Sequence, residues 1–144
     1  MNNKEHSKKI IYCDGTFDLF HSGHIRFLKS CKEMGDYLIV GIISDENVKS
    51  YKRYPVLKME DRAKILQHID FIDEIIIDCP FQNITKEFLE ERKISLVVYG
   101  TIDGNPSWED HYQEAIKKNI MKYVKYGFDE LSTSKIINKI KAEY

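Results

Sequence analysis

Residues 9–34, KIIYCDGTFDLFHSGHIRFLKSCKEM, pass from an unbroken apolar run into a helical pattern through a corner crowded with acids, glycines and histidines. The run over 9–13 does not alternate, as expected of a strand covered on both faces. Beyond the corner Ile25, Leu28 and Cys31 recur at spacings of three, one face of a helix. Further β-rich runs follow: YLIVGIIS (37–44), DEIIID (73–78), SLVVYG (95–100) and MKYVKY (121–126). All but the last share the continuous character of the first. Helical patterns separate them. EDRAKILQHI (60–69) places Ala63, Leu66 and Ile69 in register, and TKEFLEERK (85–93) opens on Thr85 as N-cap. WEDHYQEAIKKN (108–119) and STSKIINKIKAEY (132–144) complete the set, the latter capped by Ser132 or Thr133. Strand and helix in strict alternation with short connections predict an α/β, Rossmann-like fold: an open parallel five-stranded sheet with helices on both faces. No repeat or linker divides it, so 9–144 is expected to form a single domain behind a disordered tail at 1–8. In such a sheet ligands bind at the carboxyl ends of the strands, and the GTFDLFHSGH corner (15–24) lies at one.

The 144-residue chain is long enough to bury about two thirds of its unfolded surface. With 22 basic against 23 acidic residues, nothing points to a broad nucleic-acid surface. Cys13, Cys31 and Cys79 are odd in number and widely spaced, which indicates neither a disulfide framework nor a zinc site. The polar start and the short apolar runs carry no signal core and no membrane span, so a reducing, cytoplasmic location is expected.

The corner carries chemistry that a turn alone does not need. Gly15 lets the backbone turn sharply or approach a ligand, and Gly23 keeps the space between His21 and His24 clear. A helix starting near Ser22 to His24 offers unpaired N–H groups and a positive dipole end to phosphate. Paired imidazoles can donate to phosphoryl oxygens as charge builds on them, a design for phosphoryl or nucleotidyl transfer. Taken alone, H-x-G-H is a weak signal, since structural histidines are common. Metal ligation is disfavoured because no third His or Cys ligand is apparent.

GTFDLFHSGH resembles the signature of the cytidylyltransferases, within the wider H-x-G-H nucleotidyltransferase superfamily. GDYLIVGIISDE (35–46), YPVLKMEDR (54–62), FIDEIIIDCPF (71–81) and LSTSKIINKI (131–140) are similar in order and spacing to its other segments, so the resemblance runs from Lys8 almost to the end. It implies a reaction joining CTP to a phosphorylated alcohol, with release of pyrophosphate. The substrate phosphate would attack the α-phosphate in line, with Mg²⁺ accompanying the triphosphate rather than held by a protein cluster. His21 and His24 would bind phosphates and stabilise the transition state, aided by Lys52 from a loop. Gly15, Thr16 and Phe17 would run beside the triphosphate, and Ser132, Thr133 and Ser134 would meet it with hydroxyls and helix N–H groups. Asp18, Asp45 and Arg62 match positions that bind or orient substrate. Each has a plainer role open to it: Asp18 as a helix cap, Arg62 as a surface residue paired with Glu60, Lys52 and Arg53 as a solvated loop, and the Ser-Thr-Ser set as an N-cap. The resemblance further implies a homodimer formed near the H-x-G-H.

The chain departs from the pattern in two places. Many members carry R-T-x-G before the last segment, whereas here Gly127 replaces the arginine and Glu130 the glycine. The acidic or His-containing motif after the fourth strand becomes YGTIDG (99–104). An arginine lost opposite phosphates costs ~2–5 kcal/mol of binding unless another cation substitutes, and Lys52, Arg53 and Lys125 are the candidates. Both departures are similar to the second domain of phosphoethanolamine cytidylyltransferases, which makes phosphoethanolamine the first expectation for substrate. Phosphocholine and glycerol-3-phosphate stay open, as do ATP in place of CTP and a degenerate nucleotide-binding module. A quaternary amine would favour aromatic walls, for which Tyr99, Trp108, Tyr112 and Tyr126 are candidates. A primary ammonium needs acceptors, for which Asp103, Asp110 and Glu130 are candidates. An aminoacyl-tRNA synthetase, the other owner of an H-x-G-H, is excluded by the short chain and the missing K-M-S-K-S segment.

Overall fold

The computed structural model describes residues 7–101, 108–125 and 131–144. Its strands are β1 (Ile10–Gly15), β2 (Tyr37–Ile42), β3 (Glu74–Ile77), β4 (Ile94–Thr101) and β5 (Met121–Lys125). They form one sheet in the order β3-β2-β1-β4-β5, with every pairing parallel. The helices are α1 (Ser22–Glu33), α2 (Asp45–Lys49), α3 (Met59–Leu66), α4 (Lys86–Glu91), α5 (Glu109–Lys117) and α6 (Thr133–Glu143). The expected architecture is therefore present. Of the proposed N-terminal tail, residues 1–6 lie outside the described part. Among the described residues no helix is long and apolar enough to cross a membrane.

Alternation along the central strands divides the core between the two faces. Ile11 and Cys13 point to the layer of Phe27, Leu28 and Cys31 from α1 and Ala63 and Leu66 from α3. Tyr12 between them points to the opposite layer, with Leu89 of α4 and Tyr112 and Ala115 of α5. Continuous burial holds for β1 and β2 but not for β3, whose four residues are only half covered because it is an edge strand, with Ile77 47 % exposed. Ile25 likewise does not join the core. The buried stripe of α1 is His24, Phe27, Leu28 and Cys31, a 3-4-7 spacing that leaves Ile25 at 40 % exposure. Thr85 caps α4 through the Phe88 N–H at 3.1 Å, and Ser132, rather than Thr133, caps α6 through the Lys135 N–H at 3.2 Å. The short helix α2 was not apparent in the sequence, where its first residues follow directly on an apolar run. It is started by Ser44, which accepts from the Asn47 N–H at 3.2 Å.

After β3 the chain crosses back past β2 and β1 to place β4 on the other side of β1. The helices leaving β1 and β4 then diverge to opposite faces, and a crevice opens where Gly15 and Thr101 end their strands.

Candidate active site

That crevice holds a cavity of about 380 Å³. Its walls come from the β1 corner, the segment 51–55 after α2, the starts of α5 and α6, and the ends of β2 and β4.

The corner is shaped by its own backbone. Phe17 and Leu19 adopt left-handed φ values of 53° and 50°, a conformation unusual outside glycine. A Cβ on Gly23 would sit 2.9 Å from the His21 ring, so glycine is what allows that ring to fold over the helix start. There His21 is the N-cap of α1: its Nδ1 accepts the Gly23 N–H at 3.1 Å. His24 Nδ1 in turn accepts the His21 N–H at 3.2 Å. The rings stack with centroids 3.8 Å apart. An Nδ1 that accepts a backbone N–H bears no proton, so each neutral ring carries its hydrogen on Nε2. Two of the helix-start N–H groups expected to face phosphate are thus taken by the imidazoles, which present Nε2–H donors instead. His24 lines the cavity, whereas His21 stands against it outside the lining, its Nε2 buried with no hydrogen-bond partner among the described residues.

Burial, reinforced by the nearby His21 and Lys52 charges, lowers the His24 pKa to about 3. Burial also lowers that of His21. Both rings are therefore neutral donors at neutral pH. For His24 the unfolded chain binds a proton near pH 6.5 while the native site resists it. Its contribution to stability is therefore complete above about pH 6.5 and declines as pH falls toward 3. The loss from this residue by pH 5 is about 2 kcal/mol. In urea unfolding the parent is expected to lose stability between pH 7 and pH 5, and His24→Asn to lose less by that amount. An equal loss in both would contradict the assignment.

The weaker sequence candidates divide sharply. Asp18 does not cap α1. Its carboxylate accepts the N–H groups of Val56 at 2.7 Å and Leu57 at 2.9 Å, and its carbonyl accepts the Thr133 hydroxyl at 2.9 Å. It fastens the loop and the start of α6 to the corner, an orienting role. Arg62 is neither a surface residue nor part of the cavity wall: it is completely buried. It donates to the carbonyls of Leu57 at 3.1 Å, Thr16 at 2.6 Å and Ile43 at 2.9 Å, and to the Asp45 carboxylate at 2.7 Å. Asp45 also accepts the Met59 N–H at 3.3 Å and is absent from the lining. Neither is in the cavity wall; together they hold the loops that surround it.

Lys52, Arg53, Gly15, Thr16, Phe17 and Ser132–Ser134 all line the cavity, which brings the basic, glycine and hydroxyl groups together. Burial first, and then the Arg53 charge, lower the pKa of Lys52. Lys125 is not in the wall, and Gly127, Glu130, Tyr126 and Asp103 lie outside the described residues. Asp110 is exposed and also not in the wall.

Besides Asp18, the cavity is lined by an acid that the sequence reading did not single out. Asp14, 9 % exposed, accepts from Tyr112 Oη at 2.6 Å, His111 Nε2 at 2.9 Å and Tyr12 Oη at 3.3 Å. Its signal in the sequence was a carboxylate set inside an otherwise apolar strand. Around it stand Tyr51, Phe81 and Trp108. Tyr51 is stacked on Phe81 with centroids 5.7 Å apart and edge-on to Trp108 at 4.7 Å. The cavity thus joins a cationic, donor-rich part to an acidic, aromatic part. Among the described residues no group of three or more His, Cys, Asp or Glu side chains is placed to hold a metal ion. Asp14, already taking three donors, is not a metal cradle.

A family model described as cytidylyltransferase-like matches residues 12–139. Choline-phosphate cytidylyltransferase A of Homo sapiens is 36 % identical over 136 residues, covering 93 % of this chain and 37 % of that protein. The probable ethanolamine-phosphate cytidylyltransferase of Encephalitozoon cuniculi is 35 % identical over 142 residues, covering 98 % of this chain and 42 % of that protein. The chain therefore spans about two fifths of the length of these relatives. In structure it is similar to the lipopolysaccharide core biosynthesis protein of Thermoplasma volcanium, with a TM-score of 0.67 at 22 % identity, covering 85 % of this chain and all of that one. Pantoate-beta-alanine ligase of Francisella tularensis aligns with a TM-score of 0.55 at 18 % identity, covering 94 % of this chain and 70 % of that one. At such identities these two structures speak to fold alone.

Proposed function

The chain belongs to the cytidylyltransferase-like family, and on that premise we propose that it joins CTP and phosphoethanolamine to give CDP-ethanolamine and pyrophosphate. A phosphate oxygen of phosphoethanolamine attacks the α-phosphorus of CTP. The α–β anhydride bond breaks and its electron pair leaves on pyrophosphate. Charge gathers on the equatorial and leaving oxygens, where His24 Nε2–H and the Lys52 ammonium donate and His21 Nε2–H finds the partner it lacks. The observation that carries this reading is the pair of stacked, neutral imidazoles whose Nδ1 atoms are locked by the helix start. Such donors need no reorganisation as the transition state forms. Ser132–Ser134, at the capped start of α6, supply further donors for the triphosphate. Mg²⁺ belongs to the proposal as a companion of the nucleotide, which would screen the triphosphate charge. A homodimer and a cytoplasmic setting belong to it as well, the latter supported by three buried free thiols.

Asp14 supports an amino alcohol over glycerol as the carrier of the phosphate. The hydroxyls of Tyr12 and Tyr112 and the His111 imidazole solvate its charge without cancelling it, and an ammonium group would complete the site. Phosphocholine is the second reading, favoured by the Tyr51–Phe81–Trp108 wall.

The test is pyrophosphate release with Mg²⁺. CTP, ATP, GTP and UTP are each paired with phosphoethanolamine, phosphocholine and glycerol-3-phosphate. The highest kcat/KM is expected for CTP with phosphoethanolamine. Silence across the panel from folded protein would leave a nucleotide-binding module, and release with glycerol-3-phosphate alone would contradict the role given to Asp14.

A further inference from the structure

His111 is the third residue of α5 and lines the cavity beside Asp14. Its Nε2 lies 2.9 Å from Asp14 Oδ2, and the two side chains are 5 % and 2 % exposed. A carboxylate can only accept, so the hydrogen of this bond sits on Nε2. The other ring nitrogen of the neutral imidazole is then a bare lone pair. Nδ1 is buried, and no hydrogen-bond partner for it exists among the described residues. The two tyrosine hydroxyls nearest to hand are engaged with Asp14 itself, Tyr112 at 2.6 Å and Tyr12 at 3.3 Å. The aromatic neighbours of the ring, Phe81 at 6.1 Å and Tyr112 at 4.5 Å between centroids, bring no N–H. A buried acceptor beside a substrate cavity, left without a donor by the described residues, is a place for a ligand donor.

We propose that His111 is a specificity-determining residue, whose Nδ1 accepts an N–H from the ammonium group of the substrate. The inference rests on the amino-alcohol reading above and extends it to the choice among amines. Asp14 attracts any cation, whether it bears hydrogens or methyl groups. Nδ1 discriminates, because a primary ammonium has an N–H to give it and a trimethylammonium has none. With phosphocholine bound, the lone pair would stay buried and unpaired against methyl groups, and a site built to take a hydrogen bond rejects an analogue that cannot make it. Asp14 performs a second duty here. By accepting from Nε2 it fixes the tautomer that leaves Nδ1 as an acceptor.

The test follows N–H groups one at a time. Phosphoethanolamine, its N-methyl and N,N-dimethyl derivatives and phosphocholine are titrated into the full chain by calorimetry with CTP present, and kcat/KM is measured for each. The largest single loss, about 10-fold or more, is expected at the last methylation, where the final N–H disappears. In His111→Leu that step is expected to shrink to a few-fold, chiefly through KM. In His111→Gln, whose amide can donate to Asp14 and still offer an oxygen, the step is expected to return. An even decline along the methyl series in the parent would overturn the inference without help from any variant, as would a His111→Leu protein that keeps the parent's step. Either result leaves the cytidylyl-transfer reading standing. Absence of binding by all four amines, with glycerol-3-phosphate turned over, would overturn the inference and the amino-alcohol reading together, and would leave cytidylyl transfer in place.

Discussion

Replacing His24 with asparagine is expected to lower kcat by about 10²-fold or more while the protein melts close to the parent temperature. The choice of asparagine follows from the two ends of the ring. Nδ1 has a structural task, accepting the His21 N–H at 3.2 Å, and a side-chain amide oxygen can take it over. Nε2–H has the chemical task, and asparagine has nothing at that distance. His24→Ala would remove both and add the loss of a helix-start bond, which costs ~0.5–2 kcal/mol at an N-cap. The kcat effect is large because the ring is neutral before substrate arrives, its pKa held down to about 3 mainly by burial. Its donor bond to a phosphoryl oxygen therefore strengthens as that oxygen gains charge, an interaction weighted toward the transition state. Binding of CTP should change less than turnover. His21→Asn follows the same logic, since asparagine is a good N-cap for Gly23. The double variant is expected to cost less than the product of the two, because the stacked rings act as a unit. Turnover near the parent level in His24→Asn would remove the Nε2–H from the mechanism.

How far the sequence discloses this site depends on where each partner lies along the chain. His21, Gly23 and His24 are legible because the capping bonds that shape them span two or three residues, a distance at which pattern implies geometry. Ser132 as a cap is legible for the same reason. The central strands β1 and β2 are read from unbroken apolar runs, but β3 has the same composition and sits at an edge, since position in the sheet is set by pairing and not by the strand itself. Asp14, Tyr12, His111 and Tyr112 form one network only because β1 and α5 meet, Asp14 and His111 being 97 positions apart. No local pattern in α5 marks its third residue as a cavity group. Asp18 lies at the site, as its motif suggests, but its carboxylate's partners are backbone N–H groups 38 and 39 residues away, in a loop without regular structure. Arg62 is the sharpest case. An arginine among acids in an amphipathic helix reads as exposed, and its complete burial is decided by three carbonyls from three separate loops.

That burial makes Arg62→Met the substitution with the largest expected effect on stability, about 3–5 kcal/mol by urea unfolding. Methionine matches much of the side-chain volume, so the loss comes from the groups left behind. The carbonyls of Thr16, Ile43 and Leu57 each lose a donor, and the Asp45 carboxylate, 31 % exposed, loses its ion pair and leans on the Met59 N–H and water. A guanidinium fits because it is planar, stays charged at any relevant pH and spreads its donors over a fork. Here Nε and both terminal nitrogens are all in use. Arg62→Lys is accordingly expected to recover the Asp45 pair but less than half of the lost stability, since a single ammonium cannot reach three divergent carbonyls. The three loops so joined are the β1 corner, the end of β2 and the segment that follows Lys52. Thr16 lines the cavity beside His24, and Leu57 and Val56 are the residues that Asp18 grips from the corner. Loosening this junction should therefore lower kcat/KM even at temperatures where Arg62→Met is fully folded, with CTP binding affected alongside turnover. A variant that lost stability yet kept parental kcat/KM would confine Arg62 to the core and separate the support of the fold from the geometry of the site.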